Sequence, residues 1–455
     1  MATAPHETFL STPNMLGLFD GMALVQDMLD VEAALARAQG QVGLIPADAA
    51  QAITACADAS RLDVPGLLAA SGRAGTLAIP VVKALTAAVK DAHPQAAGFV
   101  HWGGTSQDVV DTAMVLATRR ALALIDADLH KLITALMALA QEHVGTPVLA
   151  RTLMQPAQVI SLGLRMVGWI SPLVRAQARL RRQASQALTL QFGGAVGTLS
   201  SLDGHGPAVA AALAQELHLP LPQGPWHTQR DDWVALGCEL GVLCGSLGKI
   251  ATDLSLMSQP ELGEMTEPEA AGKGGSSAMP HKRNPVACMM ALAAAHRAPH
   301  KVAALLSTMG QAFERGLGDW QAEGAEWAGL FASAHGALHA LADAAAAGLQ
   351  VHPHRMQANI DALQGLVYTE ALSMKVAQVL GKADAHHRVE QWCAQAVQSQ
   401  QHLRDVAMAA QAGDPQLQTL GDLTPLFDAT LAARPAAMLA RQQLETLRQH
   451  VLAKH

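Results

Sequence analysis

The sequence predicts an almost all-α protein organised around a bundle of long helices, and three observations carry that expectation. Half of the residues are hydrophobic but only 3% are aromatic. Much of the apolar content is Ala, Leu, Val and Met, and Ala, Leu and Met favour helices. Three segments repeat apolar residues in alternating steps of three and four, the spacing of one helix face. Gly- and Pro-rich stretches separate these segments.

Residues 1–104 read as a small helical domain, with Phe19 to Gly40 as its clearest helix. The central domain, residues 105–350, holds the three heptad faces. The first is Leu122, Ile125, Leu129, Leu132, Leu136, Leu139, and Gly145-Thr146-Pro147 ends it. The second is Met166, Ile170, Leu173, Gln177, Leu180, Ala184, Ala187, with one polar interruption. Gly- and Ser-rich sequence from Gly193 to Gly206, then Pro220 to Pro225, divides it from the third: Leu236, Leu240, Leu243, Leu247, Ile250, Leu254, Met257. Such faces must be buried against one another or against other chains. Asn284 and Pro285 form a natural helix start, with Asn284 as the expected N-cap, ahead of an Ala-rich helix over 286–306. Residues 351–455 read as a second small helical domain, opening at His352-Pro353.

Length and composition exclude several classes. The 455 residues allow two or three domains and a large core. With 31 Lys plus Arg against 38 Asp plus Glu, the net charge is −7. No basic domain exists and few aromatics are present to stack on bases, so no nucleic-acid partner is expected. Cys56, Cys238, Cys244, Cys288 and Cys393 are odd in number and none lies in a CxxC pair, which fits a reducing, cytoplasmic setting. Met1 to Phe9 lacks signal-peptide features. No uncharged apolar run reaches membrane-spanning length; Gly336 to Leu349 carries His339 and Asp343. No Cys/His spacing reads as a zinc site, and His386-His387 reads as a solvated helix face, so no metal and no cofactor are expected.

Three motifs carry chemistry. Gly275-Ser276-Ser277-Ala278-Met279-Pro280-His281-Lys282-Arg283-Asn284-Pro285 combines glycines, paired hydroxyls, and a Lys and Asn able to hold developing negative charge. Gly272-Lys273-Gly274 precedes it as a hinge. His101-Trp102-Gly103-Gly104-Thr105-Ser106-Gln107-Asp108 places two hydroxyls at a helix start, where backbone N–H groups favour a carboxylate. Its plainer reading is a Ser/Thr cap with Asp108 in the first turn and a structural His101. The third motif is Arg151-Thr152-Leu153-Met154-Gln155-Pro156-Ala157.

Together these stretches resemble the three conserved regions of the fumarase/aspartase superfamily, whose enzymes make or break a bond β to a carboxylate through a stabilised carbanion. Further stretches are similar to the lactonising, cycloisomerase branch of that superfamily. They are Phe9 to Thr12 with Asp30 to Ala38, Pro268 to Lys273, and Glu314 to Glu323. The resemblance covers most of the chain and thins after about residue 400. It implies a homotetramer whose three regions meet from different subunits. Ser276 would be the proton-transfer residue, with Lys282 and Asn284 stabilising the aci-carboxylate. His101, Thr105, Ser106, Thr152, Gln155, Arg230, Ser277, Met279 and Arg315 would bind a small polycarboxylate. Arg315 has an alternative as a partner of Glu314 or Glu323 on a helix surface, and Arg230 as part of a polar helix start.

One departure bears on substrate. The second region of the superfamily typically reads Arg-Thr-His-x-Gln-Pro-Ala, with His as general acid/base, and here that position is Leu153. An amine or amidine leaving group needs protonation, which suits imidazole. A carboxylate, whose conjugate acid has a pKa of roughly 4, leaves or attacks already ionised. Leu153 therefore points to a carboxylate as the adding or departing group. The alternatives are an amine-releasing lyase that recruits His101 or His281, a lyase releasing nitrite, and a non-catalytic relative, against which the intact Ser276, Lys282 and Asn284 weigh.

Overall fold

The computed structural model describes residues 5–270 and 272–452. Residues 1–4, 271 and 453–455 lie outside the described residues. They belong to the N-terminal stretch, the approach to the Gly-rich loop and the C-terminal domain of the sequence reading.

The protein is all-α. Its longest helices are Gly21–Gln41, Ser106–Glu142, Leu162–Ala187, Asp231–Met257, Val286–Ser307, Asp319–Ala346 and Ala429–Leu452. Each heptad face falls inside one of them. All seven residues of the third face are buried, as are Ile125, Leu129, Leu132 and Leu136 of the first. A fully buried Leu contributes roughly 1.5–3 kcal/mol, so these faces hold the helices in place. Gln177, the polar interruption, is buried as well. The Asp231–Met257 helix has the length and hydropathy to cross a membrane, but its apolar stripe lies in the protein core.

Local chemistry fixes the helix starts. Asp20 caps Gly21–Gln41 by accepting from the Ala23 N–H at 2.8 Å. The helix expected after Pro285 begins at Val286, but its cap is not Asn284. The Glu267 carboxylate, from outside the helix, accepts from the N–H groups of Ala287 (3.1 Å) and Cys288 (2.9 Å). A charged acceptor suits two orphan donors at the positive end of a helix dipole better than an amide does.

The chain divides into two compact units, Met1–Leu129 with Ala176–Gly248 and Met290–Ala340, and His130–Arg175 with Lys249–Met289 and Leu341–His455. The first unit has an aromatic centre, where Trp233 and Trp327 stack at 4.0 Å and Trp327 donates to Thr118 at 2.9 Å. The second contains an antiparallel hairpin, Pro147–Thr152 paired with Gln155–Ser161. Leu149 and Val159 of that hairpin pack with Ile360, Val367, Tyr368 and Ala429.

Candidate functional site

In the first unit, Thr105 and Ser106 sit half-buried at the start of the Ser106–Glu142 helix. The buried carboxylate of Asp108 organises this corner. It accepts from Thr105 N–H (3.1 Å), Gly193 N–H (3.0 Å), Gly194 N–H (2.9 Å) and His227 Nε2 (2.6 Å). Four donors on one carboxylate satisfy nearly all of its lone pairs, so burial costs little. Arg315 joins the same framework, because its Nη2 donates to the Gly194 carbonyl at 2.6 Å. Its Nη1 donates to its neighbour's carbonyl, Glu314 O, at 2.8 Å. Arg315 therefore pairs with backbone carbonyls rather than with the Glu314 or Glu323 carboxylate, and it precedes the Asp319–Ala346 helix. Burial, partly offset by Asp108 and Asp111, holds its pKa below the usual arginine value.

His101 is tied down too. Its Nδ1 lies 2.6 Å from the buried Glu32 carboxylate. Burial opposes its charge, but the Glu32 hydrogen bond and charge outweigh burial and raise its pKa.

Arg230 is not available to a substrate. It is 2% exposed, with Nη1 donating to Asp111 Oδ2 (2.8 Å), Nε donating to Glu323 Oε2 (3.1 Å), and Nη2 bonded to both carboxylates. Trp226 covers its guanidinium face at 4.5 Å. Two carboxylates saturate its planar fork, so Arg230 is an internal clamp, and its expected substrate contact is corrected. A cavity of about 470 Å³ borders this clamp, with Phe19, Met28, Trp233, Trp320 and Trp327 in its wall. The single cationic side chain in its lining is the already neutralised Arg230, beside the carboxylates of Asp111 and Glu323, so its size does not mark it as the reaction site.

In the second unit, Thr152 and Gln155 flank the tip of the hairpin. The two turn residues between them are Leu153 and Met154, at φ +50° and +64°. Two successive left-handed residues define a type I′ turn, where Asn-Gly is usual. Here two apolar side chains occupy it, 96% and 69% exposed. Thr152 and Gln155 are exposed with them. The strand leading into the turn is anchored, since Arg151 pairs with the fully buried Glu264 at 3.0 Å and Asn359 donates to the same oxygen at 2.9 Å. Arg151 is thus a brace, and the motif's display is left to its tip.

The Gly-rich loop of the second unit closes on itself. Gly275 pairs with Arg283, and Asn284 N–H donates to Gly274 O at 2.8 Å. Gly274 needs its left-handed φ of +70°, and a Cβ there would meet the Asn284 carbonyl at 2.5 Å. Ser276 is half-buried and its Oγ accepts from Met279 N–H at 3.2 Å, whereas Ser277 is exposed. A donor aimed at Oγ favours the alkoxide, which distinguishes Ser276 from its neighbour. Lys282 and Asn284 border a cavity of about 560 Å³ with Lys273, His281, Ser255 and Glu267.

The sequence-expected residues thus fall into groups. His101, Thr105, Ser106 and Arg315 belong to a corner organised through Asp108 and Glu32. Thr152 and Gln155 flank one turn, and Ser276, Ser277, Met279, Lys282 and Asn284 share one loop. Asp108, Asp111, His227 and Glu264 were not recognised in the sequence as partners, and Glu323, considered there as a partner of Arg315, pairs with Arg230 instead.

A family model described as lyase matches residues 8–299. The 3-carboxy-cis,cis-muconate cycloisomerase of Bradyrhizobium diazoefficiens is 46% identical over 88% of this chain and 88% of its own. The cycloisomerase of the same name from Pseudomonas putida is 44% identical over 92% of this chain and 98% of its own. The crystal structure of the 3-carboxy-cis,cis-muconate lactonizing enzyme from Pseudomonas putida superimposes with a TM-score of 0.92 at 40% identity, covering 98% of this chain and all of that one.

Proposed function

The chain belongs to the lyase family within the fumarase/aspartase superfamily, and on that premise we propose that it is an enzyme closing 3-carboxy-cis,cis-muconate to 4-carboxymuconolactone. The names of its relatives support that substrate. Leu153 is the observation that carries the choice of chemistry. A side chain that cannot transfer a proton stands where an amine-releasing lyase needs imidazole, and a carboxylate that adds as an anion needs none.

One substrate carboxylate attacks the conjugated double bond and forms the new C–O bond. The displaced π electrons move onto the neighbouring carboxylate as an aci-carboxylate. Lys282 and Asn284 stabilise that charge, as preorganised donors do best at developing charge. Ser276 delivers a proton to the α-carbon, and its alkoxide is eased by Met279 N–H. The serine then regains a proton from solvent. A trianionic substrate becomes a dianionic lactone, so each turnover takes up one proton. Thr105, Ser106, Thr152, Gln155, Ser277, Met279 and Arg315 hold the folded conformer in which oxygen and carbon are close. His101, held by Glu32, binds the substrate with them. In this reading the protein is a homotetramer in the cytoplasm, and regions from different subunits complete each site.

The test is the ultraviolet absorbance of purified protein mixed with 3-carboxy-cis,cis-muconate. Loss of the diene band, with one proton consumed per substrate in a weakly buffered indicator assay, is expected. A stable spectrum from folded tetramer would reject the reading.

A further inference from the structure

We propose that Asp128, His335 and His339 form a binding site for a divalent transition-metal ion, best matched by Zn²⁺, apart from the residues assigned to catalysis. His335 and His339 are one turn apart on the Asp319–Ala346 helix, so they share a face. Asp128, on the Ser106–Glu142 helix, offers a single oxygen to both rings. Its Oδ2 lies 3.2 Å from His335 Nε2 and 2.9 Å from His339 Nδ1. All three ligand atoms lie within 4.8 Å of one another. A tetrahedral Zn²⁺ with bonds of about 2.0–2.2 Å separates its ligand atoms by roughly 3.3 Å. Both Asp128–histidine separations already lie within a few tenths of an ångström of that value.

The surroundings fit as well. Thr12 Oγ1 lies 3.1 Å from His335 Nδ1 and fixes the ring through the nitrogen that does not face Asp128. Metal-ligating histidines usually have their second nitrogen held this way. His335 is 4% exposed, Asp128 14% and His339 40%, so the cluster is sheltered on one side and open to solvent on the other. Two imidazoles and one carboxylate suit Zn²⁺ and its neighbours rather than Mg²⁺ or Ca²⁺. Three protein ligands leave a fourth position for water. A bound ion would pin two helices and the Thr12 segment together.

The deciding experiment is calorimetric titration of the untagged, chelator-treated full chain with Zn²⁺ near neutral pH, with Co²⁺ absorbance as a second readout. One ion per chain is expected. His339→Ala, at a half-exposed position that folding tolerates, should weaken binding at least tenfold, and Asp128→Asn should do the same. His387→Ala, in the exposed pair on another helix, should leave binding unchanged. Absence of stoichiometric binding by the wild type would overturn the proposal. So would equal affinity in His339→Ala and wild type.

Discussion

The corner around Thr105 and the loop around Ser276 are held by opposite means. The Thr105 corner depends on distant, buried partners, since Asp108 joins four donors from three stretches of sequence and Glu32 anchors His101. The Ser276 loop is held by its own short-range contacts, Gly275 with Arg283, Met279 with Ser276, and Asn284 with Gly274. Most of its side chains are exposed. A segment with few buried contacts opens at little cost, whereas a buried polar network is rigid once every member is satisfied. The contrast fits a division of labour in which a fixed corner receives a carboxylate and an adaptable loop carries the proton.

The sharpest way to break this contrast is Ser276→Ala. Turnover should fall by roughly 10³-fold or more, with KM changed by about threefold at most. Because the loop is locally organised, thermal unfolding should hardly move. A variant with near-wild-type turnover would remove Ser276 from the mechanism.

Next in size is Asp108→Ala. It strands His227 and three N–H groups in the interior, and about 3–5 kcal/mol of stability should be lost. Its counterpart beside the loop is Glu267→Ala, which uncaps the Val286–Ser307 helix and should cost only about 1 kcal/mol. Denaturant titrations of both variants compare the regions directly, and equal losses would erase the distinction.

The hairpin tip should behave differently again. Leu153→Asn combined with Met154→Gly matches the type I′ turn and relieves two left-handed apolar residues. A stabilisation of about 1–2 kcal/mol is expected. If the tip serves the reaction, kcat/KM should drop as stability rises. A variant that gains stability and keeps full activity would reduce the tip to a plain turn.

The smallest expected effect concerns pH. His101 has a folded pKa above its ordinary value, so its pairing with Glu32 is fully stabilising below about pH 6.5. That contribution disappears as pH rises through the raised pKa. The melting-temperature gap between wild type and Glu32→Gln should be widest near pH 6 and narrow by pH 9. A constant gap would mean that the pair does not titrate.

The sequence alone determined the helical architecture and the chemistry-bearing motifs. Heptad spacing placed the helices that contain Leu129, Leu173 and Leu247, because burial on one face leaves a periodic mark within a single segment. The run from Gly275 to Pro285 marked its own loop, because glycines, hydroxyls and a cation needed together stand together in the chain. Leu153 was visible as a departure for the same reason. What only the tertiary structure decided was partnership. Arg230 reads as a substrate ligand until Asp111 and Glu323 are found on either side of it. Asp108 reads as a first-turn acid until Gly193, Gly194 and His227 converge on it. Asn284 reads as a cap until Glu267 takes that place. The hairpin was hidden because Leu-Met gives none of the local preference of an Asn-Gly turn. His335 and His339 show helical spacing but no third ligand until Asp128 arrives from another helix. Periodicity and short motifs are local, whereas the partner of a buried charge is chosen by how distant segments pack.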